Sequence, residues 1–174
     1  FASYDGEDTV RVVDALSGHE VASFKISDES VVDAPSDVKL LAISPNGSMV
    51  ALTGDEGRLQ VLLINSVAEP TDAAKPYDYT GKEQEHEELN LPESDVFSLE
   101  FSADGKYLAT GLQNNSARVY AVNTVSSSSS YGKLTVVKGE DKNERFCEHE
   151  DWVRAVKFSE GTVPTLFASA GDDE

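Results

Sequence analysis

Few side chains in this sequence are equipped for chemistry, and their spacing matches no catalytic or metal-binding pattern. There are three histidines and one cysteine, Cys147. His86 stands among Glu83, Glu85, Glu87 and Glu88, and acidic turns occur at Asp5, Glu7 and Asp8 and again at Asp172, Asp173 and Glu174. Carboxylates and imidazoles bind metals, but zinc wants a fixed tetrahedron of ligands and calcium a looped series at regular intervals. Neither spacing is present. A lone cysteine excludes an intramolecular disulfide and a multi-cysteine zinc site. No Gly-rich phosphate loop, nucleophile elbow or suitably placed Cys/His pair occurs. The sequence therefore predicts no catalytic residue, no metal and no cofactor. What remains is binding chemistry: Trp152 beside Arg154 is the residue mixture of interface hot spots.

The elements that position these residues are repeated. Three segments share an alternating strand, a polar turn and a second strand ending in small residues. They read Val38-Lys39-Leu40-Leu41-Ala42-Ile43-Ser44-Pro45-Asn46-Gly47, Val96-Phe97-Ser98-Leu99-Glu100-Phe101-Ser102-Ala103-Asp104-Gly105 and Val153-Arg154-Ala155-Val156-Lys157-Phe158-Ser159-Glu160-Gly161. The serine closing the first strand recurs at 44, 102 and 159. That interval exceeds a bare four-stranded repeat of roughly 40–45 residues, so long insertions lie between units.

Second strands follow at 49–53, 107–110 and 165–169, third strands at 58–64 and 116–122, and outer strands around 77–80 and 133–137. Asn46-Gly47 and Asp104-Gly105 supply positive-φ residues suited to tight hairpins. Nowhere do apolar residues hold a 3.6-residue period over a helix length, so the chain reads as an all-β meander. The phrase Phe167-Ala168-Ser169-Ala170-Gly171-Asp172-Asp173 echoes Phe1-Ala2-Ser3-Tyr4-Asp5-Gly6-Glu7. The sequence thus starts within one repeat and stops within another. It opens on Phe1 without an initiator Met, as a processed form or part of something longer does.

Composition narrows the partners. Fourteen basic residues against thirty-two acidic ones give a net charge of −18. Such a surface repels nucleic-acid phosphates and anionic membranes and favours basic protein segments, besides keeping the chain soluble. No apolar run approaches the roughly 18–20 residues of a membrane helix. The single cysteine fits a reducing compartment, so an intracellular location, cytoplasmic or nuclear, is expected. The sequons at Asn46 and Asn114 are discounted as chance triplets, since nothing resembles a signal peptide.

The repeated phrases resemble the WD-repeat family of β-propellers. That resemblance implies a buried His–Ser–Trp–Asp hydrogen-bond network in each blade. In the last repeat, His149 fits the opening histidine, Ser169 the strand position and Asp173 the turn aspartate; the chain stops before the tryptophan. Elsewhere the motif is degenerate. Val13, Leu62 and Tyr120 stand at the tryptophan position, Ala34 and Pro92 at the histidine, and Glu7, Glu56 and Asn114 at the aspartate. The earlier blades are thus expected to rely on apolar packing alone.

The fold class expected is an all-β propeller of about three blades' worth of four-stranded antiparallel sheets, its ring incomplete in this chain. Residues 1–174 divide into a partial blade at 1–26 and a blade at 38–80 with an acidic insertion at 67–92. A further blade at 95–138 carries a serine-rich link at 124–132, and a partial blade occupies 152–174. The insertion holds seven acids against two bases. Residues 139–150 read as a charged link. Residues outside this sequence, or another copy, are expected to complete the ring.

In this family partners sit on the face formed by the turns entering the inner strand and leaving the second. The resemblance, with alternation of side chains along a strand, points to Asp37, Asp95 and Trp152, to Lys39, Phe97 and Arg154, and to Asp55, Gln113 and Asp172. The function implied is a non-catalytic protein-interaction scaffold within a larger intracellular complex. The alternatives are an acidic, chaperone-like escort for a basic client and a propeller enzyme, for which no strand-borne catalytic groups are found.

Overall fold

The recurring serine organises each inner hairpin. Strand β4 (Val38–Ile43) turns through Ser44, Pro45, Asn46 and Gly47 into β5 (Met49–Gly54). The Ser44 hydroxyl accepts the Met49 N–H at 2.9 Å and donates to Asn46 Oδ1 at 2.8 Å. Between β8 (Val96–Phe101) and β9 (Tyr107–Leu112) the Ser102 hydroxyl accepts the Tyr107 N–H at 3.0 Å and donates to Asp104 Oδ1 at 2.7 Å. Between β13 (Val153–Phe158) and β14 (Phe167–Gly171) the Ser159 hydroxyl accepts the Leu166 N–H at 3.0 Å. A hydroxyl does both jobs because it carries a donor and lone pairs together.

These hairpins differ from the expected tight turns in one respect. Within the first two turns positive φ is confined to Gly47 and Gly105, at 69° and 70°, and is not shared by Asn46 or Asp104. Gly47 and Gly105 donate back to the carbonyls of Ser44 and Ser102 at 2.8 and 2.9 Å. Asn46 and Asp104 serve through their side chains, as Asx residues do in turns.

The computed structural model describes residues 2–4, 9–25, 38–54, 57–64, 77–78, 94–125, 131–138, 147–161 and 165–173. Every element among them is a strand, and all pairings are antiparallel. The first sheet holds β1 (Ala2–Tyr4), β2 (Thr9–Val13) and β3 (Glu20–Lys25) in that order. The second runs β4, β5, β6 (Leu59–Leu63) and β7 (Tyr77–Asp78). The third runs β8, β9, β10 (Ser116–Val122) and β11 (Leu134–Val136), with β12 (Cys147–Glu148) also paired to β10. The fourth is β13 with β14. Among the described residues no helix is long and apolar enough to cross a membrane.

The third sheet corrects one expectation. β11 pairs with the end of β10, Val122 opposite Leu134, whereas β12 pairs with its start, Ser116 opposite Glu148. The outer strand is therefore built in two pieces on either side of residues 139–146. Cys147 and Glu148, read from sequence as part of a link, supply backbone partners to an edge that otherwise lacks them.

The core lies between the sheets. Met49, Ala51, Leu59 and Val61 of the second sheet meet Phe101, Leu108, Tyr120, Val122 and Leu134 of the third. On the opposite face Val50, Leu52, Leu62 and Ile64 meet Val10 and Val12 of the first sheet. Ala109, Ala117 and Val119 of the third meet Val153, Val156 and Phe158 of the fourth. β5 is buried at every position because both its faces are covered, which is why it reads as an apolar run rather than an alternation. β14 alternates between half-buried and exposed along its length. The four sheets stand as successive blades of a β-propeller without closing a ring among the described residues.

The serine run at 126–130 and the acidic insertion, apart from Tyr77 and Asp78, lie outside the described residues. So do His86, Glu7, Ala34, Asp37, Asp55, Glu56 and Pro92.

Candidate functional site

Each inner strand of the last three sheets is interrupted at the same place. The register shifts between Val38 and Leu40, between Val96 and Ser98, and between Val153 and Ala155. The bulged residues are Lys39, Phe97 and Arg154. A bulge places two residues opposite one and turns a side chain out of strict alternation. Simple alternation was the sequence argument for these positions; the bulges are what redirect them.

The bulged side chains meet partners across the sheet boundaries. Lys39 Nζ donates to Asp95 Oδ1 at 3.1 Å, joining the second sheet to the third. Phe97 and Trp152 rings pack at 5.6 Å between centroids, tilted by 41°. The Arg154 guanidinium carbon lies 4.5 Å from the Phe97 centroid and 4.7 Å from that of Trp152. The rings are too close for the guanidinium to lie between them, so it caps the pair. Arg154 also binds Asp172, which follows β14. The Trp152 side is open, at 38% exposure. Gln113 belongs to the same end of the third sheet, its N–H donating to the Asp95 carbonyl at 2.9 Å. Cation–π contacts of this kind hold a guanidinium in a defined orientation.

Directly behind Trp152 lies a second polar group. His149 Nδ1 is 2.8 and 2.9 Å from the two carboxylate oxygens of Asp173, and its Nε2 is 2.8 Å from the Ser169 hydroxyl. Glu150 N–H donates to Asp173 Oδ2 at 3.1 Å. This N–H, and then the His149 side chain, hold the Asp173 carboxyl below the usual aspartate range. Gly171 makes the group possible. A Cβ there would run into Asp173 Oδ1 and lie 3.0 Å from His149 Nδ1.

Carboxylate, imidazole and hydroxyl are linked here in the order of a nucleophilic triad. The neighbouring backbone donors are committed elsewhere. His149 N–H donates to Asn115 O at 2.8 Å, Asp172 N–H to Trp152 O at 3.0 Å, and Glu150 N–H to Asp173. None of these three is left to stabilise an oxyanion. Their effect is to pin the segment 149–152, and with it Trp152, between the third sheet and the fourth.

Sequence reasoning missed Asn115. It takes φ 66°, and its Nδ2 donates to Glu150 O at 3.0 Å, fastening the third sheet to the 149–152 segment. An Asn next to a turn is the one available signal, because Asn tolerates left-handed backbone. The expectation of purely apolar packing in the earlier blades also fails for the third sheet. The Ser116 hydroxyl donates to Asn114 Oδ1 at 2.6 Å, and Asn114 N–H donates to the Ser94 hydroxyl at 3.0 Å. Both bonds converge on Asn114, the residue at the aspartate position. Among the described residues no group of three His, Cys, Asp or Glu side chains converges as metal ligands.

Comparison with known proteins agrees with this architecture. Residues 84–121 match the family model described as WD domain, G-beta repeat. The fold is similar to the crystal structure of the Cps50 (Swd1) β-propeller domain of Myceliophteria thermophila, with a TM-score of 0.57 and 14% identity. The match covers 96% of this chain and 45% of that one, so the chain spans less than half of that propeller domain. A search of the curated proteins finds no match. The chain thus carries a WD-type repeat at 84–121 and has the fold of a β-propeller across the described sheets.

Proposed function

We propose that this chain is a non-catalytic protein-interaction scaffold, a subunit of a larger assembly, whose docking surface is the rim formed by Lys39, Asp95, Phe97, Gln113, Trp152, Arg154 and Asp172. The observation that carries this reading is the repeated bulge. Three inner strands turn the matched residue, Lys39, Phe97 or Arg154, out of register at the same end of the fold. Bulges that recur in register re-aim side chains for a purpose and are treated as designed features. The result is a half-open cluster of Trp, Phe and Arg, the residue types that dominate interface energetics. Asp37 and Asp55 belong to the same set by their place in the repeat.

The partner favoured is a segment with an apolar anchor flanked by basic residues. The ring face supplies the anchor site, while Glu148, Glu150 and Asp151 are exposed beside it and carry only negative charge. The ring of blades is completed by residues outside this sequence or by another copy.

The test compares wild type with Trp152→Ala/Arg154→Ala as bait, identifies a protein captured by the first alone, and measures its Kd in purified form. Loss of a hot-spot pair weakens binding by about 2 kcal/mol or more, some thirty-fold. An unchanged Kd, with the fold of the double variant intact, overturns the reading. The net charge of −18 favours a second one, an acidic escort for a very basic client. Its affinity would fall steeply with salt, because long-range attraction is screened over about 10 Å at 0.1 M. A Kd that varies little with salt rejects the escort and leaves the rim scaffold.

A further inference from the structure

The rim cluster is shared between two sheets: Phe97 comes from β8, Arg154 from β13, and Trp152 immediately precedes β13. What fixes β13 against β8 is therefore what assembles the cluster. Two side chains below the β8 bulge reach across the boundary to the backbone of β13. Ser98 Oγ accepts the Val156 N–H at 3.1 Å, and Glu100 Oε2 accepts the Phe158 N–H at 3.0 Å. Glu100 Oε1 also pairs with Lys157 Nζ.

Antiparallel pairing commits alternate N–H groups of β13 to β14 and turns the others to its free inner edge. Val156 and Phe158 are two residues apart and donate to β8 side chains, so both lie on that edge. Such edge donors normally find water or a partner, and here they find acceptors from the adjacent blade. The contacts run down the boundary in one line. Phe97 with Arg154 and Trp152 comes first, then Ser98 with Val156, then Glu100 with Phe158 and Lys157.

The preceding boundary lacks this device. The positions of β4 that match Ser98 and Glu100 are Leu40 and Ala42, whose side chains hold no acceptor. The second and third sheets are held instead by a wide apolar core, by the Lys39–Asp95 pair and by a Ser48–Tyr131 hydroxyl contact of 2.6 Å, with no side chain of β4 reaching the β8 backbone from the positions that match Ser98 and Glu100. Among the described residues the fourth sheet contributes two strands to its boundary, so directional bonds matter more there.

We infer that Ser98 and Glu100 are positioning residues for the rim. They set the register of β13 on β8 and so bring Arg154 and Trp152 onto Phe97 without themselves facing the partner. The consequence for docking rests on the reading of the rim given above; the positioning role does not, and its test needs no partner.

Trp152 is the only tryptophan in the sequence, so its fluorescence reports this cluster alone. In Ser98→Ala/Glu100→Ala, at a temperature where far-UV circular dichroism matches wild type, Trp152 emission shifts to the red and acrylamide quenching rises. Amide exchange at Val156 and Phe158 accelerates roughly tenfold, the scale of one hydrogen bond to a charged acceptor. Glu100→Gln retains an acceptor for the Phe158 N–H and recovers most of the Trp152 signal, whereas Lys157→Ala, which spares both backbone bonds, leaves it near wild type. A double variant with wild-type emission, quenching and exchange overturns the proposal. Where the double variant does not fold, Ser98→Ala alone decides: faster exchange at Val156 with a red shift at Trp152 supports it, and neither change overturns it. A rim that proves to bind no partner leaves these spectroscopic outcomes untouched.

Discussion

Arg154 meets Asp172 through a single carboxylate oxygen, with Nε and Nη2 both 2.8 Å from Oδ2. The planar fork of arginine allows this while its face caps Phe97 and Trp152; a lysine offers one point charge and no face. Both partners are about two-fifths exposed, so the ion pair itself contributes little to folding. Arg154→Lys should therefore leave stability within about 0.5 kcal/mol of wild type, while changing Trp152 emission and weakening the captured partner. Urea denaturation alongside a binding titration separates the two effects. A variant that loses both together would make Arg154 a folding residue.

The His149–Asp173 pair predicts how stability responds to acid. Asp173 has a folded pKa below its unfolded value, held there by the Glu150 N–H and His149. Its contribution is complete above the unfolded value of about 3.9 and is lost as pH falls through the lower folded value. Asp173→Asn should thus melt below wild type at neutral pH, with the gap narrowing only under acid conditions below about pH 4. Taking the difference between the two proteins cancels the other carboxylates. A gap that stays constant down to the lowest pH at which both fold would reject the assignment.

Gly171 and Gly161 make a matched pair. A methyl at Gly171 collides with Asp173 Oδ1 and lies 3.2 Å from Trp152 O, whereas at Gly161 nothing is within 4 Å. Gly171→Ala should cost about 1–3 kcal/mol, as overpacking does, and disturb Trp152 fluorescence. Gly161→Ala should be close to neutral in both. Equal effects at the two positions would show that the close approach at Gly171 relaxes freely.

Ser169 and Thr110 occupy the same place in successive sheets, opposite Val156 and Leu99 respectively. Ser169 bonds to His149, but the buried Thr110 hydroxyl meets no partner among the described residues. Ser169→Ala should lose about 1 kcal/mol, the net value of such a bond. Thr110→Val, which removes a buried hydroxyl and keeps the shape, should be neutral or stabilising. Thermal melts of the two variants check the contrast. A Thr110→Val loss as large as that of Ser169→Ala would mean that Thr110 has a partner.

How much of this was legible beforehand depends on the range of the interaction. The serines at 44, 102 and 159 mark the inner hairpins because each bonds within its own turn. His149, Ser169 and Asp173 were picked out by resemblance, and the structure brings the three within hydrogen-bond distance. Asn115 escaped because its role depends on Glu150, which is distant in sequence. Cys147 and Glu148 escaped for a similar reason: short charged flanks carry no strand pattern, and only the open edge of β10 gives them one.

By itself the sequence determined the strand-and-turn repeat, the all-β class, the acidic surface and the residues able to form the His149 group. Those follow from local turn chemistry, alternation and composition, each readable within a few neighbouring residues. Tertiary structure alone decided that Lys39, Phe97 and Arg154 are bulged, that Arg154 caps the Phe97–Trp152 pair, and that Ser98 and Glu100 bind the next inner strand. The physical reason is register. Where a bulge falls, and which side chain then faces a neighbouring sheet, is set by pairing between strands far apart in the chain, and no short stretch of sequence contains both partners.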